Sequence, residues 1–298
     1  MPSSDGIHTL YGKIFIPDGE IRGIVQFVHG MTEHIDRYEG VMTALTDEGY
    51  VAFGHNHIGH KYSSPDDELG FFGYSDGFRV LINDVNLYGD AVSEMFPDKK
   101  RFLFGHSMGS FIVRLAILQS ADKLSGLIIS GTGGPNPLAS AGLLLCDIIT
   151  LFKGGKYVSP FMYKMVFGSY NDKVTENDGS SWISNDSELV AKYKSDKYCT
   201  FKFSLCALHD LIKLNKLSNK PIWSEAVSKT LPIFIMSGDM DPVGDYGKGV
   251  QTVYNRLEKA GCNVKMKLYK NNRHEVLNDI SKDEAIKDII EFVKGKEK

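Results

Sequence analysis

The chain has 298 residues, 42% hydrophobic and 24% charged, with a formal net charge of −3. That length carries one large core, or a core bearing a second small domain. Such a near-neutral balance gives no electrostatic footprint for nucleic acid or an anionic membrane surface, and no apolar run is long enough to span a bilayer.

Short apolar runs alternate with helical patterns along the chain. Residues 23–28 read as a buried strand, 38–48 as a helix stopped by Gly49, and 50–53 as the next strand. Between residues 78 and 96, Phe78, Leu81, Ile82, Val85, Tyr88 and Val92 share one helical face, and Pro97 follows. Residues 101–104, 127–129 and 231–236 are further continuous apolar strands, and 110–118 is apolar all round, as in a buried helix. Val250, Val253, Tyr254 and Leu257 mark a helix ending at Gly261. After it, Val264, Met266 and Leu268 alternate with lysines as a half-exposed strand should. Ser281-Lys282-Asp283-Glu284 reads as a capping box opening a final helix.

This alternation predicts an α/β fold with a mostly parallel central sheet and flanking helices. One stretch breaks the rhythm. Residues 132–228 hold no convincing strand, and their apolar residues cluster helically at 143–152, 161–167 and 201–214. They are expected to form a helical cap inserted into a discontinuous core made of 1–131 and 229–298.

The strand at 101–104 runs into Gly105-His106-Ser107-Met108-Gly109 and then a helix. Strand, Gly-x-Ser-x-Gly, helix is the setting of a nucleophile elbow, whose tight turn needs small flanking residues and lifts the serine above the sheet. Gly73-Tyr74-Ser75-Asp76-Gly77 matches the same pattern, but a polar, turn-rich segment leads into it, so Ser75 is expected in a loop. A serine nucleophile needs a base, an orienting acid and an oxyanion hole. His209 and His274 are the histidines after Ser107; His209 sits in a helical apolar pattern, whereas His274 lies in a polar loop after the last strand. His274 is therefore the expected base. Asp239 and Asp241 both follow the strand at 231–236, and position alone does not choose between them as the acid. The oxyanion donors are expected to be the backbone N–H groups of Met108 and of Met31, which lies in the loop after the first buried strand.

Other signals point to structure. Three histidines, His55, His57 and His60, crowd one loop without the further ligands that zinc requires, and Gly131-Thr132-Gly133-Gly134 lacks the Lys-Ser/Thr of a phosphate loop. Cys146, Cys199, Cys206 and Cys262 show no C-x-x-C spacing and read as buried free thiols in a reducing cytoplasm. The start Met1-Pro2-Ser3-Ser4-Asp5-Gly6 lacks a charged n-region, so a cytoplasmic protein is expected, and a serine, base, acid and oxyanion hole require no metal or organic cofactor.

The segment His29-Gly30-Met31-Thr32-Glu33-His34-Ile35-Asp36-Arg37-Tyr38, the elbow, Gly238-Asp239-Met240-Asp241 and the His274 loop together resemble the α/β-hydrolase family. The nearest branch is that of monoglyceride lipases and lysophospholipases, grouped with serine aminopeptidase-like hydrolases. By that resemblance the acid is three residues after the glycine, which selects Asp241. Asn56-His57-Ile58-Gly59-His60-Lys61 is similar to an Asp-His-x-Gly-His-Gly loop of the family, departing at Asn56 and Lys61. The resemblance implies a serine carboxylester hydrolase acting on monoacylglycerols, lysophospholipids or similar single-chain esters. An aminopeptidase using Glu33 or a cap carboxylate to bind the substrate amine, an acyltransferase or thioesterase with the same triad, and a non-catalytic ligand-binding fold are the alternatives. Leu144, Ile148 and Phe152, at helical spacing in the cap, are expected either to line an acyl pocket or merely to pack the cap, and the cap offers a surface for transient membrane contact.

Overall fold

A computed structural model describes residues 1–176 and 179–295. Seven strands form one sheet: β1 (Gly12–Phe15), β2 (Gly23–Val28), β3 (Tyr50–His55), β4 (Lys100–His106), β5 (Gly126–Ser130), β6 (Ile233–Gly238) and β7 (Val264–Tyr269). Their order is β1-β3-β2-β4-β5-β6-β7, with β1 antiparallel to β3 and every other pair parallel. Strands β2, β3, β5 and β6 are buried along their whole length, which is why they read as unbroken apolar runs. Edge strand β1 gives no such signal: Gly-Lys-Ile-Phe is short and half exposed, and its pairing with β3 is what makes it a strand. Strand β6 starts two residues later than the apolar run that marks it, because Pro232 has no N–H to give the ladder and only its carbonyl is used, by Leu127.

Helices cover both faces. On one side α1 (Glu39–Asp47) and α10 (Lys282–Lys294) bury Met42, Leu45, Ile289 and Val293 against Val25, Phe27, Phe102 and Phe104. Against the other lie α2 (Gly77–Met95), α3 (Met108–Ser120) and α9 (Lys248–Lys259), with Leu81, Val85, Ile112, Ala116, Val250 and Leu257 packed on Ile24, Val28, Leu103 and Ile129. Burying each Leu, Ile, Val or Phe side chain contributes about 1.5–3 kcal/mol, so alternate strand residues feed two cores. Between β5 and β6 the described residues form helices α4 (Ala139–Lys153), α5 (Pro160–Phe167), α6 (Ser187–Ser195), α7 (Leu205–Ser218) and α8 (Pro221–Ala226).

The expected capping box at Ser281 does not form. Ser281 is at φ −99°, ψ 22°, and its side chain makes no cap bond. Its hydroxyl instead accepts from Asn272 Nδ2 at 2.7 Å while its N–H donates to Asn272 Oδ1 at 3.1 Å. The serine is used to tie the loop before α10 to the loop that carries His274.

Chain order reverses at β2: β3 lies on one side of it and β4 on the other. In open α/β sheets the crevice at such a reversal, beyond the carboxyl ends of the strands, is where ligands bind. The loop after β2 and the turn after β4 meet there, and they meet closely. A Cβ on Gly109 would lie 2.2 Å from the Val28 carbonyl oxygen and 2.6 Å from that of His29, both backbone atoms that cannot swing aside. Gly109→Ala is therefore expected to lower stability by about 1–3 kcal/mol or more. Gly19→Ala, where a Cβ meets nothing within 4 Å, should stay within about 0.5 kcal/mol. Urea denaturation of both variants reads the difference, and equal midpoints would show that the turn relaxes freely.

Candidate active site

The turn between β4 and α3 carries Ser107 at φ 53°, ψ −120°, a conformation costing a non-glycine residue about 1–3 kcal/mol. It is held there by one sequence-distant contact and two local ones. Ser107 N–H donates to the Ser130 carbonyl at 3.0 Å, and its own carbonyl accepts from Ser110 N–H at 2.9 Å and Ser110 Oγ at 2.6 Å. A Cβ on Gly105 would lie 2.5 Å from the Gly109 carbonyl oxygen, so both flanking glycines are required by contact. The second Gly-x-Ser-x-Gly is different in kind. Ser75 is exposed in a bend before α2, with no strand leading into it.

His274 lies in the loop after β7, buried, with Nδ1 2.9 Å from Asp241 Oδ1, although this contact is bent away from the ring N–H direction. Asp241 is fully buried in the loop after β6, and its carboxylate accepts from Ser237 Oγ at 3.1 Å and Val243 N–H at 2.9 Å. Burial by itself disfavours the imidazolium, but the Asp241 carboxylate, then Glu275 and Glu33, outweigh it and raise the His274 pKa above the usual 6.5. Asp239 points elsewhere: its Oδ1 accepts the Asn271 N–H at 2.7 Å, a turn bond. His209 sits on α7 with Nε2 3.6 Å from Asp147. The loops after β6 and β7 are pressed together at Gly238, where a Cβ would lie 2.1 Å from the Asn272 carbonyl oxygen.

The loop after β2 reaches Ser107 directly, since a Cβ on Gly30 would lie 2.9 Å from Ser107 Cβ. Its peptides are held by histidines whose role is not apparent in the sequence. His29 Nδ1 lies 2.8 Å from the Gly30 carbonyl, the other end of the peptide that carries Met31 N–H, and His29 Nε2 accepts the His57 N–H at 3.0 Å. His60 Nε2 accepts the Thr32 N–H at 3.3 Å. Burial keeps these rings unprotonated, pushing His57 down to about 4 and His60 to about 3, so their acceptor nitrogens persist at neutral pH. Glu33 Oε1 accepts from Gly30 N–H and from Tyr38 Oη, the latter at 2.9 Å. The histidine-rich loop is thus scaffolding for the peptide that bears Met31 N–H. Where the similar family loop has glycine, Lys61 takes φ 38° and pairs its ammonium with Asp36.

Met31, Met108, Ser107, His106 and His274 line one cavity of about 420 Å³. Its other walls include Phe111 of α3, Phe167 of α5, Leu211 and Ile212 of α7, and Trp182 and Phe201 from the inserted segment. Leu144, Ile148 and Phe152 are not among the lining residues and face outward, 61%, 43% and 82% exposed. The correction has a simple cause. Helix α4 is apolar on nearly every side, so spacing does not reveal its inner face, which is Gly142 and Cys146 packed towards α7.

The inserted segment is bolted to the His274 loop. His274 and Glu275 donate their N–H groups to the Trp182 and Ile183 carbonyls, Arg273 Nη1 donates to those of Ser181 and Ser184, and Ser184 Oγ donates to that of Asn278 at 2.6 Å. A second attachment joins His34 Nε2 to Asp196 at 2.9 Å, beside Cys199. Lys61 Nζ lies 3.3 Å from His34 Nδ1, so a cation already occupies this cluster and it reads as a clasp between core and insertion.

A family profile described as "Serine aminopeptidase, S33" matches residues 19–281. The chain is 27% identical over 305 residues to the monoacylglycerol lipase of Mycolicibacterium smegmatis, covering 97% of this chain and 93% of that protein. It is 27% identical over 277 residues to human monoglyceride lipase, covering 91% and 81%. Among solved structures, a highly thermostable carboxyl esterase from Bacillus coagulans in complex with glycerol superposes with a TM-score of 0.94 at 32% identity, covering 100% of this chain and 97% of that one. The chain belongs to the serine aminopeptidase S33 family, among the α/β-hydrolases of esterase and lipase type.

Proposed function

We propose that this protein is a serine carboxylester hydrolase acting on single-chain lipid esters of the monoacylglycerol or lysophospholipid kind. The observation that carries the reading is that Ser107, His274 and the Met31 loop open onto one cavity whose wall also presents Phe111, Phe167, Trp182, Phe201, Leu211 and Ile212. In the mechanism, Ser107 Oγ attacks the acyl carbonyl as His274 takes its proton, and Asp241 orients the ring and stabilises the imidazolium. The Met31 and Met108 N–H groups, which have no hydrogen-bond acceptor among the described residues, receive the oxyanion. His274 then protonates the leaving alcohol, and water hydrolyses the acyl-enzyme by the same route in reverse. The monoacylglycerol lipase names of relatives at 27% identity support the lipid end of this reading.

A specific observation also favours testing a peptidase. Glu33 and Glu275 line the cavity, as binding of a substrate's amino terminus would want. Both are engaged with Arg37, however, and Glu33 also holds Gly30 and Tyr38, which leaves little carboxylate free. Rates on p-nitrophenyl esters of graded chain length beside aminoacyl-p-nitroanilides separate the two, and faster cleavage of the anilides would overturn the esterase reading.

A fluorophosphonate probe should label the protein once. Ser107→Ala should abolish labelling and Ser75→Ala should leave it intact, because base and oxyanion donors serve only the former. The two aspartates separate by role. Asp241→Asn loses the partner that holds the imidazole tautomer, for which a protease template loses about 10⁴-fold in kcat, so turnover should drop at least about a hundredfold in a folded protein. Asp239→Asn removes one turn bond, worth about 1 kcal/mol of stability, and should keep activity within about tenfold. The reverse pattern would move the acid to Asp239.

The outward side of α4 and α5 exposes Leu144, Leu151, Phe152 and Phe161, an apolar face that suits substrate drawn from a lipid surface. Leu151→Asp with Phe152→Asp should lower hydrolysis of monoacylglycerol in vesicles several-fold while sparing soluble p-nitrophenyl acetate. Equal rates on vesicles before and after substitution would count against a surface role for this face.

A further inference from the structure

Arg37 sits where three parts of the site converge, and the mechanism above gives it nothing to do. Its side chain is 11% exposed. Nη2 donates to Glu275 Oε2, Nε lies 3.6 Å from Glu33 Oε2, and the guanidinium rests 5.0 Å from the centroid of the Tyr193 ring on α6. Its partners belong to the loop after β2, the His274 loop and the inserted segment. Glu33 receives the Gly30 N–H beside Ser107; Glu275 follows His274 and donates its N–H to the Ile183 carbonyl at 2.8 Å; Tyr193 Oη lies 2.9 Å from Thr32 Oγ1, next to Met31. The loop carrying one oxyanion donor follows β2, the loop carrying the base follows β7 four places along the sheet, and the two share no strand. The planar Arg37 guanidinium, paired with Glu33 and Glu275, links them.

We propose that Arg37 is a positioning residue which, through Glu33 and Glu275, holds the oxyanion loop and the His274 loop in register. The inference rests on the serine-hydrolase reading. Two carboxylates share one guanidinium, so the cluster keeps negative charge close to the base. Burial first, then the Glu275 charge, hold the Glu33 carboxyl up at about 7. His274 is faced by Asp241 after β6, Glu33 after β2, His106 at the end of β4, Tyr170 in the insertion and Glu275 on its own loop, whereas the Arg273 guanidinium turns to Ser181, Ser184 and Glu176. The Glu275 charge favours the imidazolium, so its removal must let His274 lose its proton at lower pH.

The test uses p-nitrophenyl acetate, whose acyl group is too short to depend on the far cavity wall. Arg37→Lys keeps the charge, but one ammonium does not span both carboxylates. Its kcat should fall at least about tenfold with KM within about threefold, the signature of misplaced catalytic groups rather than lost substrate contacts. A smaller fall, or a loss carried wholly by KM, overturns the proposal. Glu275→Gln, nearly isosteric, should shift the acid limb of the kcat/KM profile to lower pH as well as lowering kcat, whereas a merely structural part would leave the limb in place. If Arg37→Lys does not fold, the kcat of Glu275→Gln decides, and an unchanged kcat overturns the clasp. Ser107→Ala runs alongside. If it keeps activity, the serine-hydrolase reading fails and the clasp with it; if it is dead while Arg37→Lys is unimpaired, the clasp alone fails.

Discussion

A single backbone position organises this molecule: Ser107 held at positive φ between a strand and a helix. That conformation is unfavourable in isolation, so the rest of the structure must over-determine it. Parallel strands on both sides of β4 do so, and the Ser130 carbonyl of β5 takes the Ser107 N–H. Helix α3 can leave the turn at its steep angle only because Gly105 and Gly109 let backbone touch backbone. The close approach of Gly109 to the Val28 and His29 carbonyls then places the loop after β2 beside the serine. Stability and the geometry of the site are therefore one constraint. A core that fixes β2, β4 and β5 in register also brings together groups from four strand ends.

What the sequence shows follows from what local pattern encodes. The inner strands are apolar on both faces, which composition alone reveals, and helix α9 has a regular apolar stripe at Val250, Val253 and Leu257. Edge strand β1 has no such pattern, being defined by its neighbour. The outward face of α4 was open to misreading because a helix in an insertion can be apolar on the side that meets solvent as well as on the side that meets the fold. Ser281 carries the letters of a capping box, yet Asn272, nine residues earlier, uses its hydroxyl, a tertiary partner that no local motif anticipates.

The proposed catalytic residues stand out in sequence for a related reason. Ser107 has its glycines, and His274 is isolated in a polar loop, so elimination points at both. Choosing between Asp239 and Asp241 takes either a family resemblance or a fold, since the two differ in what they touch: a turn N–H for one, the ring of His274 for the other. The scaffolding is less legible. His29, His57 and His60 look like a metal site in sequence, and only their hydrogen bonds to the backbone around Met31 reveal what they hold.

His106 and His274 stand with ring centroids 4.6 Å apart, and in the proposed mechanism a proton taken from Ser107 stays on the second until it reaches the leaving alcohol. The two rings differ in their surroundings rather than their chemistry. His106 is buried, and that burial, joined by the nearby His274 and Arg37 charges, drives its pKa well below the usual value. His274 is buried as deeply but faces Asp241, with Glu275 and Glu33 beyond, and its pKa moves the other way. Equal desolvation with unequal charge thus suits His274 to the proposed role of proton acceptor and keeps His106 unprotonated. The carboxylates that achieve this are themselves partly neutralised by Arg37, which limits how far the base is raised. A histidine held too strongly protonated would be a poor base at neutral pH. The same cluster that links the loops therefore also tunes the group they present, so its geometry and its charge are not separable functions.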